Sequence, residues 1–291
     1  MSELFRKYNV TGPRYTSYPT VPYWETTPGT DEWLQSVAQG LLDSGASGAG
    51  AAIYVHVPFC QSLCTYCGCN TRITRKVDVG QPYVRTVLAE WKLYRERLRG
   101  LGVAEIPLSE LHLGGGTPTF LSAGELEELV SGLLKGTRLA ASHEFSIEAD
   151  PRVTTEAHLE TLARLGFRRL SLGIQDFDEK VQEAVHRVQS VEQVRQVTDC
   201  ARGLGFTSVN YDLIYGLPFQ TKASVKSTVE AVMALRPDRI AYYGYAHVPW
   251  IKPSQRRFTE ADLPDGNAKR ELYELGRGLL EQAGYAEVGM D

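Results

Sequence analysis

Residues 54–71, YVHVPFCQSLCTYCGCNT, hold four of the chain's five cysteines within ten positions, and their reading decides the fold. The spacing is C-x-x-x-C-x-x-C over Cys60, Cys64 and Cys67, with Cys69 two residues further on. Such a group is a disulfide knot, a structural zinc site or an iron–sulfur centre. The opening MSELFRKYNV has no apolar leader, and no apolar run nears the roughly 20 residues of a membrane span. A cytoplasmic location is therefore expected, where reduced cysteines more often hold metal than crosslink. Zinc sites usually join two separated ligand pairs, and this chain has no second pair. Three thiolates on a tight loop instead suit three irons of a cubane, leaving its fourth iron open.

Working outward, apolar alternation predicts strands over 52–57, 110–113, 144–148, 169–174, 208–214 and 239–245. Helical patterns lie between and after them at 82–99, 123–134, 155–165, 191–204, 223–235 and 267–282. Six βα units in series predict an α/β fold, a partial (β/α)6 barrel with a parallel sheet and right-handed crossovers. The cysteine loop follows the first strand and so belongs at the C-terminal mouth, where barrel sites lie. Residues 1–50 read as an irregular arm, broken at Gly12 and Pro22, with a short helix over 31–42 and a flexible joint over 43–50. Residues 51–291 form the barrel. Its last residues, YAEVGMD at 285–291, read as the start of another strand. Cys200 sits in a helical pattern as an ordinary small apolar residue.

Charge is nearly balanced: 31 Lys and Arg against 35 Asp and Glu leave −4, which argues against nucleic-acid binding. The strands alternate, unlike parallel strands buried on both faces. Leu170, Leu172 and Ile174 oppose Ser171, Gly173 and Gln175, and Tyr211 and Leu213 oppose Asn210 and Asp212. Tyr54, Glu148, Gln175 and Asp212 then line a wet interior suited to a polar ligand. Taken singly, each could equally cap the helix that follows. Gly114, Gly115 and Gly116 end the second strand, where glycine permits close backbone approach; a plain tight turn is the simpler alternative.

The C-x-x-x-C-x-x-C loop after a first barrel strand resembles the radical S-adenosylmethionine (SAM) superfamily, whose open iron chelates the cofactor's amino and carboxylate groups. The segments KYNVTGPRYTSYPT (7–20), YVHVPFC (54–60), HLGGGTPTFL (112–121), IEADPR (147–152), SLGIQDFD (171–178), VHRVQ (185–189), NYDLIYGLPFQT (210–221) and YYGYAHVPW (242–250) resemble, more closely, the oxygen-independent coproporphyrinogen III oxidase family. That resemblance covers nearly the whole chain, although the family continues through a C-terminal region missing here. It implies oxidative decarboxylation of two propionates of coproporphyrinogen III to vinyl groups, giving protoporphyrinogen IX. A 5′-deoxyadenosyl radical generated at a [4Fe–4S] cluster would remove the hydrogen.

The same resemblance implies Cys60, Cys64 and Cys67, the trio with the superfamily's spacing, as iron ligands; Cys69 is either a fourth cysteine outside the cluster or a replacement for one of the three. It implies two SAM molecules, one at Tyr54, Gly115 and Glu148. The second falls to Tyr66, Gly116, Thr117, Gln175, Arg187, Asp212 and Ala246. Without it, Arg187 would be read as a solvent-facing helix arginine and Tyr66 as loop packing. A porphyrinogen substrate, an electron donor, an electron acceptor and a monomeric state are expected, and a catalytic side chain is not identified. Arg14, Arg72, Arg75 and Arg152 are propionate candidates by charge alone. The alternatives are a related haem chaperone, against which the N-terminal arm and Cys69 weigh, and a structural zinc protein.

Overall fold

The computed structural model describes residues 7, 18–26, 28–44 and 50–289. Gly12, Arg14 and most of the joint expected over 43–50 lie outside these residues. In chain order the elements begin with α1 (Thr30–Ser44), β1 (Ala51–Val57), and the two-residue strands β2 (Phe59–Cys60) and β3 (Arg72–Ile73). Next come α2 (Gly80–Gly100), β4 (Ile106–Gly115), α3 (Ala123–Leu134), β5 (Thr137–Ala149) and α4 (Glu156–Arg164). The chain continues through β6 (Arg169–Gln175), α5 (Glu179–Ala184), α6 (Val191–Gly203), β7 (Ser208–Tyr215), α7 (Lys222–Leu235), β8 (Arg239–Gly244) and α8 (Gly266–Gln282).

Six strands form one parallel sheet in the order β1-β4-β5-β6-β7-β8, with β1 and β8 at its two ends, so the barrel is open. Alternation along the strands sets its two faces. Leu170, Leu172, Ile174, Val209, Tyr211 and Leu213 are buried with Leu126, Leu129, Leu159, Leu162, Val194 and Val232 in the main core. Tyr211 keeps its polar tip satisfied there, its hydroxyl 2.6 Å from Thr198 Oγ1. The intervening Ser171, Asn210 and Asp212 are half-buried and line a cavity of about 1050 Å3 with His112, Ser146 and Glu148.

Helix starts are local events. Ser122, Thr155, Ser190 and Thr221 each cap the helix that follows with a reciprocal capping box. Such a cap contributes about 1 kcal/mol. The expected helix 123–134 coincides with α3, and the other expected helices agree within about two residues at each end.

Three differences appear. Strands β4 and β5 start well before 110 and 144, because Ile106, Pro107 and Leu108 pair with Thr137, Arg138 and Leu139. In β5 the early residues are mostly exposed, and in β4 Ile106, Pro107 and Leu108 are all buried, so neither start shows a clean alternation. Helix α5 has only six residues, too few for a helical period to show. Finally, 285–289 are not a strand. Gly284 turns the chain at φ +93°, the Tyr285 hydroxyl donates to Pro237 O, and Glu287 meets Tyr273 and Arg277 of α8. Among the described residues, no helix is long and apolar enough to cross a membrane.

Candidate active site

Parallel strands deliver their C-terminal residues to one end of the sheet. Val57, Gly115, Ala149, Gln175, Tyr215 and Gly244 end there, so the residues singled out from sequence sit on one rim or just inside it. The cysteine loop leaves β1 at this rim. Its backbone is held by later segments: Thr65 N–H donates to Val185 O at 3.0 Å, and Thr65 Oγ1 to Ala184 O at 3.2 Å. His186 Nδ1 lies 2.9 Å from Leu63 O, and Lys252 Nζ donates to Cys69 O at 3.3 Å.

Each of the three spaced cysteines has a hydrogen-bonding partner at its sulfur. Thr117 Oγ1 lies 3.4 Å from Cys60 Sγ, and Cys69 N–H donates to Cys67 Sγ at 3.4 Å. Arg152 Nη2 and Arg187 Nη1 approach Cys64 Sγ at 3.7 and 3.6 Å. The Cys69 thiol, leaning on Cys67, pulls Cys67 down to about 6 while its own titration moves up. Burial pushes Cys60 up, with the Thr117 hydroxyl acting against it. Sulfurs so provided fit the thiolate ligands of an iron–sulfur cluster, whose properties such hydrogen bonds tune. Among the described residues, no three His, Cys, Asp or Glu side chains converge on a single-ion position. A cubane does not ask for that, since each thiolate takes its own iron.

The glycine run closes the opposite side. A Cβ on Gly116 would lie 2.8 Å from Pro58 O and 2.9 Å from Phe59 O, so side-chain-free backbone lets β4 pass under the cysteine loop. Gly115, at φ +115°, donates its N–H to Glu148 Oε2 at 3.1 Å. A Cβ on Gly114 would meet Tyr54 at 3.0 Å and Glu148 at 3.1 Å. The close approach is therefore by the protein's own groups. Tyr54 stacks on His112 with ring centroids 5.7 Å apart, and its hydroxyl sits 2.9 Å from His56 Nδ1. His112 is in turn 3.5 Å from Glu148 Oε1 and 2.7 Å from Ser146 Oγ.

Arg187 is not solvent-facing. It is 7% exposed, in the loop between α5 and α6 that turns at His186 with φ +58°. Nε and Nη2 donate to Gly173 O at 3.3 and 2.7 Å, and Nη1 to Asp150 Oδ2 at 3.1 Å. Gln175 also takes a left-handed φ of +66°, and its side chain and Arg187 both cross Gly173, where a Cβ would meet each at 2.9 Å. Asp212 accepts from Ser171 Oγ at 3.1 Å and Asn210 Nδ2 at 2.8 Å. Burial pushes its carboxyl up to about 6, helped by the Glu148 charge and opposed by those hydrogen bonds. Tyr66 packs against Val181, Val185, Leu217, Tyr245 and Phe258, and burial moves its hydroxyl well above the usual range.

Sequence reasoning missed Gln255. Buried at 1% exposure, it donates to Tyr66 O at 3.0 Å and Ala246 O at 3.2 Å, and accepts from Val248 N–H at 2.6 Å. One amide thus joins two residues singled out for a common ligand. It lies in a short 3-10 turn with no motif around it. Asp150 was also missed, although its place at the β5 exit, just after Glu148, was a usable signal. Arg152, a propionate candidate, is engaged instead: Nη2 donates to Asp150 Oδ2 at 2.6 Å as well as to Cys64. Arg72 and Arg75 are exposed on the segment that pairs with Phe59 and Cys60.

Comparison with known proteins agrees with this fold. The radical SAM superfamily profile matches residues 54–232. An oxygen-independent coproporphyrinogen III oxidase from Pseudomonas aeruginosa is 42% identical across 100% of this chain and 62% of its own length. The Escherichia coli enzyme of the same name is 40% identical across 99% of this chain and 61% of its own length. The solved structure of coproporphyrinogen III oxidase (HemN) from E. coli, described as a radical SAM enzyme, superposes with a TM-score of 0.88 at 38% identity, over 99% of this chain and 62% of that one. The chain therefore spans about three fifths of the relatives it matches.

Proposed function

This chain belongs to the radical SAM superfamily, and we propose that it works in the oxidative decarboxylation of two propionates of coproporphyrinogen III, giving protoporphyrinogen IX. One observation carries the reading: the cysteine loop, the glycine run and the polar residues Glu148, Arg187 and Asp212 meet at one end of an open parallel sheet. Cys60, Cys64 and Cys67 hold the [4Fe–4S] cluster that the superfamily implies, while Cys69 supports Cys67 from outside. When bound, cluster and SAM supply one-electron chemistry able to take hydrogen from an unactivated carbon.

The side chains divide the remaining work. Tyr54, Gly115 and Glu148 surround the position for a SAM bound at the cluster. The Glu148 carboxylate accepts from Gly115 N–H at one oxygen, and its other oxygen, 3.5 Å from His112 Nε2, can also take an ammonium or a ribose hydroxyl. A second SAM falls to Tyr66, Gly116, Thr117, Gln175, Arg187, Asp212 and Ala246. Ionised above about pH 6, Asp212 attracts a cationic ligand. The contacts of Arg187 leave one N–H of its guanidinium for a carboxylate. We place this chemistry in 51–291, with 1–50 as an arm and exchangeable electron partners outside a monomeric chain.

The test is direct. Protein reconstituted with iron and sulfide without oxygen, reduced, and given SAM and coproporphyrinogen III should release 5′-deoxyadenosine and a vinyl-bearing product. Stable haem binding with no decarboxylation would overturn the reading in favour of the chaperone.

A further inference from the structure

Asp150, Arg152 and Arg187 form a buried ionic group beneath Cys64. Their side chains are only 10%, 19% and 9% exposed. Asp150 Oδ2 accepts from Arg152 Nη2 at 2.6 Å and Arg187 Nη1 at 3.1 Å, so both guanidiniums share one carboxylate. Two cations and one anion leave a single positive charge in a place largely closed to water. An uncompensated buried charge of this kind is strongly destabilising. The group facing both guanidiniums is Cys64 Sγ, at 3.6 Å from Arg187 and 3.7 Å from Arg152. Cysteine binds iron as a thiolate, so as a cluster ligand Cys64 would supply the negative charge that closes the balance. Cys60 and Cys67 differ, because the groups at their sulfurs are neutral: the Thr117 hydroxyl at one, the Cys69 amide and thiol at the other. One corner of the cysteine trio is therefore set apart electrostatically from the other two.

We propose that Asp150, Arg152 and Arg187 are a charge-balanced seat for the Cys64 sulfur that sets the reduction potential of the cluster, with Arg152 as a positioning residue. The proposal rests on the cluster reading above but not on the identity of the porphyrin substrate. Reduction adds one electron to the cluster, and cations and hydrogen bonds at a ligating sulfur favour the reduced form. Asp150 opposes them, so the seat tunes in both directions. It also withdraws Arg152 from the propionates: its guanidinium is spent on Asp150 and Cys64.

The experiment is a redox titration of the anaerobically reconstituted protein, read by the electron paramagnetic resonance of the reduced cluster, with no SAM or porphyrinogen present. Arg152→Gln should disfavour reduction about tenfold, about 59 mV more negative for a one-electron couple. Arg152→Lys, which keeps the charge, should shift less, and Asp150→Asn should shift in the positive direction. A native midpoint in a fully loaded Arg152→Gln protein overturns the proposal. So does a negative shift in Asp150→Asn, or an equal loss in Arg152→Lys and Arg152→Gln. If Arg152→Gln takes up no cluster, the sign of the Asp150→Asn shift decides. Native protein without iron and sulfide would instead sink the cluster reading itself, a separate outcome.

Discussion

The seat under Cys64 and the inner face of the sheet are both lined by ionisable groups, but the carboxylates of the two are paired differently. Beneath Cys64, two guanidiniums, a carboxylate and a sulfur satisfy one another at 2.6–3.7 Å. Across the cavity, Asp212 accepts from neutral partners, Ser171 and Asn210, and Glu148 accepts from a backbone amide with His112 at 3.5 Å, so neither carboxylate meets a guanidinium. On the proposed function, the contrast separates a wall for a permanent occupant from one for an exchangeable ligand. The first pre-pays its electrostatics inside the protein, whereas the second keeps charge in reserve.

The largest test of that contrast is at the cysteines. Replacing Cys60, Cys64 or Cys67 with Ala should abolish iron and sulfide uptake, while Cys69→Ala should leave a cluster in place, as metal analysis would show. Loss on Cys69→Ala alone would redraw the boundary of the permanent wall.

A smaller effect is expected where the glycine run passes beneath the loop. Gly116→Ala pushes a methyl into the Pro58 and Phe59 carbonyls at 2.8–2.9 Å and should destabilise by about 1–3 kcal/mol in thermal unfolding. Gly124→Ala, in open space on α3, should stabilise by roughly 0.5–1 kcal/mol and serves as the control. Equal behaviour of the two would remove the close packing from the argument.

The smallest effect sharpens the cavity side. The folded carboxyl of Asp212 titrates near 6, above the roughly 3.9 of an unfolded chain, so folded protein holds that proton more tightly. Its ionised form therefore costs stability as pH rises from about 4 to 6, and the cost persists above. Asp212→Asn should be more stable than native at pH 7 by on the order of 2 kcal/mol, with the gap closing near pH 4. Chemical denaturation at the two pH values measures it. A gap that widens on acidification would mean Asp212 is held by a cation after all.

Much of this was legible in the sequence because strands and helices announce themselves by period. The alternation of Leu170, Leu172 and Ile174 with Ser171, Gly173 and Gln175 marks both the strand and the wet side of the sheet. The cysteine spacing is local, so it too can be read. What could not be read depends on distant partners. Arg187 lies in a stretch that looks like helix surface, yet a left-handed residue before it turns it onto Asp150, 37 positions earlier. Gln255 joins Tyr66 to Ala246 through backbone carbonyls, which leave no trace in side-chain pattern.

The cysteine loop is translated early and shaped late. Residues 184–186 and Gln255, more than a hundred positions downstream, supply the bonds that hold Leu63, Thr65 and Tyr66. Chains fold from the N-terminus as they leave the ribosome, so the cysteines emerge well before their anchors exist. On the proposed cluster, a loop ready for iron and sulfide would exist only once almost the whole barrel has been synthesised, and a nascent chain stalled midway would present bare thiols without these anchors.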